Sequence, residues 1–240
     1  MKITNKTLFK ATGVGAESCH GGRGKWYKPH SQTRPGKWMP LIKDICPCKR
    51  GYHVCEGVQI FHWFSEELYE VEIRGKQTQG LNKIVAEQAR LVKRIKTWND
   101  RTVRLFACDC AKRVLHIFEE KYPEDKRPRK AIEVARKHAK GEAAEAELKE
   151  AAVDAVDAAD AVVDAVDAAD AAADTAAYYA VKTAADAAYY AAARAAYYAA
   201  SNATSYAVYA YTAGAAYAAA VKERQWQYKQ LLKYLNGELS

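Results

Sequence analysis

The segment CPCKRGYHVC, Cys46 to Cys55, packs three cysteines and a histidine into ten positions. Cys46 and Cys48 are two apart, as are His53 and Cys55, and residues i and i+2 share a face on extended backbone. A turn at Lys49-Arg50-Gly51 would bring the pairs together. Cys46, Cys48, His53 and Cys55 would then offer a tetrahedral donor set to a structural zinc ion. The same residues also read as buried apolar thiols beside a hydrogen-bonded histidine, since free cysteine is among the most buried residue types. A nucleophilic thiol at Cys48 or Cys55, with Lys49, Arg50 and His53 as activating groups, is a third reading.

A second chemical region is the loop ESCHGGRGKWYKPHSQTRPGKW. His20, Arg23, Lys25, Trp26 and Trp38 mix cationic and aromatic side chains, which suits a nucleotide-like ligand or single-stranded nucleic acid. The glycines permit close backbone approach, but their pattern is neither a phosphate-binding loop nor a dinucleotide fingerprint. Alternatively the tryptophans pin a solvated loop to the core.

These residues need a scaffold. LFKAT (8–12) and GYHVC (51–55) read as strands, and EGVQIFHWF (56–64) as a short helix directing Val58, Phe61 and Trp63 or Phe64 inward. ELYEVEI (67–73) alternates as a strand should and ends at Gly75. KIVAEQARLVKRI (83–95) fits strand or helix. Four prolines keep residues 28–48 irregular. An amphipathic helix starts at Asn99 or Asp100, with Val103, Phe106, Ala107, Cys110, Val114, Ile117 and Phe118 within an arc of about 120°. Cys108 lies about 200° from Cys110 around that helix, so the two cannot share a metal. A further helix spans 126–140 and stops at Gly141.

Residues 142–200 contain no Gly and no Pro and are dominated by alanine. A single straight helix there would be about 88 Å long, so folding back through breaks within 170–178 and at 201–205 is expected. The aspartates from Asp154 to Asp174 read as a solubilising row. Tyr178, Tyr179, Tyr189, Tyr190 and Tyr197 form one stripe for close helix packing. The last helix is amphipathic through Val221, Trp226, Leu231 or Leu232, and Leu235. The fold expected is therefore α+β: a small mixed module over 1–98, then an Ala-rich antiparallel helical bundle over 99–240.

Charge divides the same way. Residues 151–240 hold ten acidic and six basic residues, a net of −4, which against +8 for the whole leaves about +12 for residues 1–150. A basic half favours an acidic or nucleotide ligand, or complementarity within the chain. MKITNKTLFK has no apolar h-region, and charges interrupt the alanine tract, so neither a secretory signal nor a membrane span is expected. The expected compartment is the cytoplasm of a bacterial host, where thiols stay reduced.

Two resemblances sit on these motifs. GYHVCEGVQIFHWFSEELYEVEIRGK, with CHGGRGKW and PGKWMP upstream, resembles a phage and bacterial domain of unknown function over about 8–98. Over about 99–235 the chain resembles the bacterial putative immunity protein family. The matching residues are Cys110, Ala111, Arg113, Val114, Leu115, Asp125, Arg127, Pro128, Arg129, Ala131, Ile132 and Glu133. The second resemblance implies an accessory or immunity-type protein that acts by binding a protein or nucleotide-like partner. The strand order is also similar to ADP-ribosyltransferase-like folds. That would imply an NAD-dependent enzyme using Lys10, Tyr52 or His53, and Glu87.

Overall fold

The computed structural model describes residues 2–164, 202 and 213–239. The chain divides into two compact units, Met1–Asn99 with Leu235–Gly237, and Asp100–Tyr234 with Glu238–Ser240.

The first unit is a four-stranded antiparallel sheet closed into a barrel in the order β1-β2-β4-β3. Its strands are β1 (Leu8–Thr12), β2 (Tyr52–Glu56), β3 (Glu67–Gly80) and β4 (Lys83–Arg94). Alternation explains the register. Ala16, Trp26, Val54, Tyr69, Val71, Ala89 and Leu91 form one buried cluster, where β-branched and aromatic side chains pack well on a pleated surface. The segment 83–94 is thus a strand, with Val71 opposite Leu91 and Ile73 opposite Ala89. β3 continues past Gly75, because a register shift between Arg74 and Gln77 absorbs the residues there and pairing resumes at Gln77↔Ala86.

The proline-rich stretch runs irregularly along β4. Gly36, Met39 and Ile42 donate backbone hydrogen bonds to Leu91, Ala89 and Glu87 at 2.9, 2.9 and 3.0 Å. A 3-10 helix covers Gly57–His62 and buries Ile60 and Phe61. Val58 stays exposed instead of pointing inward, since the tighter winding moves it off the face predicted for an α-turn.

β1 and β2 pair at only two positions, Leu8↔Glu56 and Phe9↔Cys55. Beyond them β1 pairs with β3 through Thr12↔Glu67, while β2 pairs with β4 through Tyr52↔Ala86. The two strands therefore part beyond Phe9.

Gly51 is required where the cysteine-rich turn enters β2. Its φ is +119°, and a Cβ there would lie 2.5 Å from Val85 Cγ1. Gly51→Ala is expected to lower stability by about 2 kcal/mol. Urea unfolding followed by tryptophan fluorescence measures it, and an unchanged midpoint would count against the close approach.

The second unit is helical. Its described helices are α1 (Asp100–Lys121), α2 (Arg127–Lys140), α3 (Glu145–Asp164) and α4 (Ala213–Leu235). α1 packs on α2, and α2 on α3. Gly141 ends α2 in the left-handed conformation, φ 78°. α1 is buried more completely than its amphipathic arc implies: Cys108, Leu105 and Leu115 are buried beside Val103, Phe106 and Cys110. Cys108, expected on the other side of the helix from the core, is inside as well, because packing reaches α1 from more than one direction. On α4 Val221 is exposed, while Tyr228, Leu231, Tyr234 and Leu235 are buried. Ala151, Ala152, Ala155, Ala158 and Ala159 form the buried side of α3, and their small side chains let backbones approach closely. The tyrosine stripe and the breaks expected within 170–178 and around 201–205 lie outside the described residues, apart from Asn202. No helix among the described residues is long and apolar enough to cross a membrane.

Candidate functional site

The cysteine-rich segment folds as a turn leading into a strand. Arg50 N donates to Cys46 O at 2.9 Å, and Cys46 N to Arg50 O at 2.8 Å. The four expected ligands differ in surroundings. Cys46 and Cys48 are exposed and Cys55 is buried. His53 Nε2 accepts the backbone N–H of Cys48 at 3.1 Å. The Cys55 thiol donates to Phe9 O at 3.6 Å, and burial pushes its pKa up to about 12, with Lys10 opposing. Among the described residues, no three His, Cys, Asp or Glu side chains group in a way that could hold a metal ion. A tetrahedral ion here would have to draw the Cys55 sulfur out of its buried position.

The residues of the basic loop also part company. Trp26 is buried in the barrel core, with its ring edge-on to Tyr52 at 5.4 Å. The guanidinium groups of Arg74 and Arg90 lie over the Trp38 ring, 4.1 and 4.8 Å from its centroid. Lys25 is 3.9 Å from Glu17, and Arg23 is exposed. His20 is turned to Trp63, with ring centroids 5.5 Å apart and Nε2 3.2 Å from the Trp63 carbonyl. Both tryptophans thus make cation–π contacts, Trp26 within the core and Trp38 nearer the surface.

What the barrel does gather is a set of basic and thiol groups where β1 and β2 part. Lys10 reaches over the Trp26 ring, 5.2 Å from its centroid. Burial lowers its pKa and the neighbouring Lys83 lowers it further, while Cys19 and Cys55 act the other way. Burial also lowers the pKa of His53, helped by Lys83 and Lys10. Lys83 sits over Trp63 at 4.5 Å. For Cys19, burial would raise the thiol's pKa. Its hydrogen bond and charge interaction with His20, with help from Ser65 and Lys10, outweigh burial and bring the pKa below the ordinary thiol value. His20 is shifted up in turn, chiefly by its hydrogen bond to Cys19.

Lys10 and His53 thus share a neighbourhood, whereas the Glu87 carboxylate accepts Lys76 N–H at 2.9 Å at the β3 irregularity. Tyr52 OH donates to Pro40 O at 2.8 Å. Sequence reasoning put nucleophilic weight on Cys48 and Cys55 and did not single out Lys83, Ser65 or Trp63. The signal available was Cys19-His20-Gly21-Gly22, a histidine and two glycines at a reversal.

In the helical unit, polar groups hold helices to one another. Asp109 on α1 accepts from Arg136 on α2. It also accepts from Gln230 Nε2 and Tyr234 OH on α4, each at 2.7 Å. Arg113 pairs with the buried Glu223 at 2.7 Å and lies over Trp226 at 4.4 Å. Gln227, fully buried, donates to Glu223 at 3.2 Å. Arg129 pairs with Glu119 and Arg127 with Asp125, each at 2.6 Å. Burial pushes the Cys108 thiol up to about 12 and the Cys110 thiol well above its ordinary value, which leaves both inert at neutral pH.

A family model described as "Imm-5 like putative immunity protein" matches residues 93–234, more than half of the chain. No curated protein and no solved structure matches it.

Proposed function

The chain belongs to the Imm-5 like putative immunity protein family, and on that premise we propose that it acts by binding a protein partner, a toxin whose action it blocks. The observation carrying this reading is the family match, which spans α1 to α4 in all but its final residue. The chemistry of the helical unit agrees with a binder. Among the described residues, the buried Glu223 pairs with Arg113, the partly buried Asp109 pairs with Arg136, and the Cys108 and Cys110 thiols are sealed in the core. Groups so engaged are poor acid–base catalysts, because a general acid or base must be free to exchange its proton with a substrate. Partner recognition then falls to the exposed side chains.

Co-expression of the chain with a growth-arresting toxin of this type tests the proposal, together with titration of the two purified proteins by calorimetry. Growth is expected to recover, and a stoichiometric complex to form. Recovery without a complex, accompanied by NAD consumption by the chain alone, would replace binding with the transferase reading.

A further inference from the structure

Where β1 and β2 part, side chains line the opening. The Cys55 thiol donates to Phe9 O at 3.6 Å and the Cys19 thiol to Ala11 O at 3.4 Å, one on each side of Lys10. Cys19 belongs to a hairpin in which Ser18 N donates to Gly24 O and Trp26 N to Ala16 O, both at 2.9 Å. Next to it, His20 lies against Trp63. Trp63 Nε1 donates to Asn82 O at 2.6 Å, and the Trp63 ring carries Lys83 Nζ at 4.5 Å. The rim thus runs from Lys10 through the hairpin and Trp63 to Lys83.

Register places Lys83 across β2 from Lys10. Val54 pairs with Ile84, so Lys83 comes opposite Cys55, which itself pairs with Phe9. Two strand spacings, roughly 10 Å, separate the backbones. Long side chains from both ends shorten that span, and the two ammonium groups are near enough for Lys83 to lower the Lys10 pKa.

Both ammonium groups lie over tryptophan rings, Lys10 over Trp26 and Lys83 over Trp63, and among the described residues neither is paired with a carboxylate. The β3 carboxylates beside β1 are taken. Glu67 accepts from Tyr69 OH and lies 3.2 Å from Arg94, and Glu70 is 2.9 Å from Lys93. Lys83 is only 9% exposed, and a cation–π contact offsets only part of the cost of taking an ammonium out of water. Thr12 lies two residues beyond Lys10 on the same face of β1. Its hydroxyl is buried without a hydrogen-bond partner among the described residues. Donors and positive charge left without acceptors call for an anion rich in oxygen.

We propose that the opening between β1 and β2 binds a phosphate group, free or carried by a small molecule, through Lys10 and Lys83, with the Thr12 hydroxyl as a further donor. Phosphate suits two cations better than a carboxylate does. A phosphate monoester carries about −1.5 to −2 at neutral pH and offers three acceptor oxygens, whereas one carboxylate would leave an ammonium uncompensated. Trp63 and His20 on the rim give a ring face to whatever the phosphate is attached to. The residues involved lie outside the family match at 93–234, so this binding is tested separately from that of a toxin.

The experiment uses the full chain, titrated by calorimetry with inorganic phosphate and with adenosine monophosphate, each in chloride buffer at constant ionic strength. Saturable binding is expected for both. Tighter binding of the nucleotide assigns the phosphate to a nucleotide-like carrier, and equal affinity assigns the site to phosphate itself. Lys10→Met and Lys83→Met keep an unbranched apolar stem and lose the charge. Each is expected to weaken phosphate binding at least about tenfold, the scale of one charge-assisted hydrogen bond. Lys25→Met, at an exposed lysine of the basic loop, is expected to leave it unchanged. Hydrogen exchange of the parent needs no variant, so a misfolded one cannot obscure the result. Phosphate is expected to slow exchange in peptides covering 8–12 and 82–86 and to leave 23–28 unaffected. Absence of saturable binding, undiminished affinity in both methionine variants, or protection that misses 8–12 and 82–86 overturns the proposal.

Discussion

Replacing Asp109 by alanine is expected to destabilise the helical unit by about 3 kcal/mol, since three partly buried donors lose their acceptor and each costs about 1 kcal/mol. The size follows from the number of donors that lose their acceptor. Asp109 accepts from Arg136, from Gln230 Nε2 at 2.7 Å and from Tyr234 OH at 2.7 Å. Its own side chain is 16% exposed and that of Arg136 29%, so water cannot fully replace the carboxylate. The protonation states agree with this role. Burial alone would lower the Arg136 pKa, but the hydrogen bond and charge of Asp109 raise it. Burial and Asp109 together raise that of Tyr234, keeping its hydroxyl a donor.

Asp109→Asn, which keeps an acceptor oxygen, should cost less than Asp109→Ala. Urea unfolding followed by far-ultraviolet circular dichroism measures both. An alanine variant within about 1 kcal/mol of the parent would show that the three contacts are surface pairs of little net worth.

How much of this was visible in the sequence depends on the range of each signal. β1, β2, α1 and α2 could be read because their patterns are local: alternation in LFKAT and GYHVC, the apolar arc from Val103 to Phe118, the glycine after Lys140. The choice for 83–94 was open, since Val85, Glu87, Ala89 and Leu91 alternate while the composition suits a helix. Pairing with β3 decided it, and pairing is a tertiary fact. The continuation of β3 past Gly75 was hidden for the same reason, because a bulge takes its geometry from the partner strand.

The candidate site was legible as chemistry but not as a place. Cysteines, histidines, tryptophans and lysines stood out by type. Yet the thiol brought below its ordinary pKa is Cys19, next to His20, and not the buried Cys55. The groups around it come from Lys10, Trp63, Ser65 and Lys83, brought together only where β1 and β2 part. The Asp109 centre is assembled from distant parts of the chain. Its partners Gln230 and Tyr234 lie 121 and 125 residues away, beyond any spacing argument.

The barrel has its own counterpart to Asp109 in Glu67. Glu67→Ala is expected to cost about 3 kcal/mol, because each buried donor left unsatisfied costs roughly 1–3 kcal/mol. Its Oε2 accepts the buried Ala16 N–H at 2.9 Å and the Tyr69 hydroxyl at 2.8 Å, and its Oε1 lies 3.2 Å from Arg94. Ala16 starts the hairpin that carries Cys19, so the carboxylate fixes both β3 and the base of that hairpin.

A pH signature separates this role from simple packing. Burial would raise the Glu67 pKa, but the Tyr69 hydroxyl, the Ala16 and Gly15 amides and the Arg94 charge outweigh it. The folded value lies below the ordinary 4.5. A carboxyl depressed on folding adds stability above its unfolded pKa and loses it as pH falls through the folded one. The parent should therefore lose stability on acidification below about pH 4.5, the unfolded value for glutamate. In Glu67→Gln, an amide that does not titrate retains an acceptor oxygen but sets an N–H₂ group against Arg94. Its stability should start lower at neutral pH and fall less steeply in acid. Tryptophan fluorescence of urea unfolding at a series of pH values measures both curves. Parallel acid limbs would mean that Glu67 carries no more charge stabilisation folded than unfolded, and its hydrogen bonds would then count only as packing.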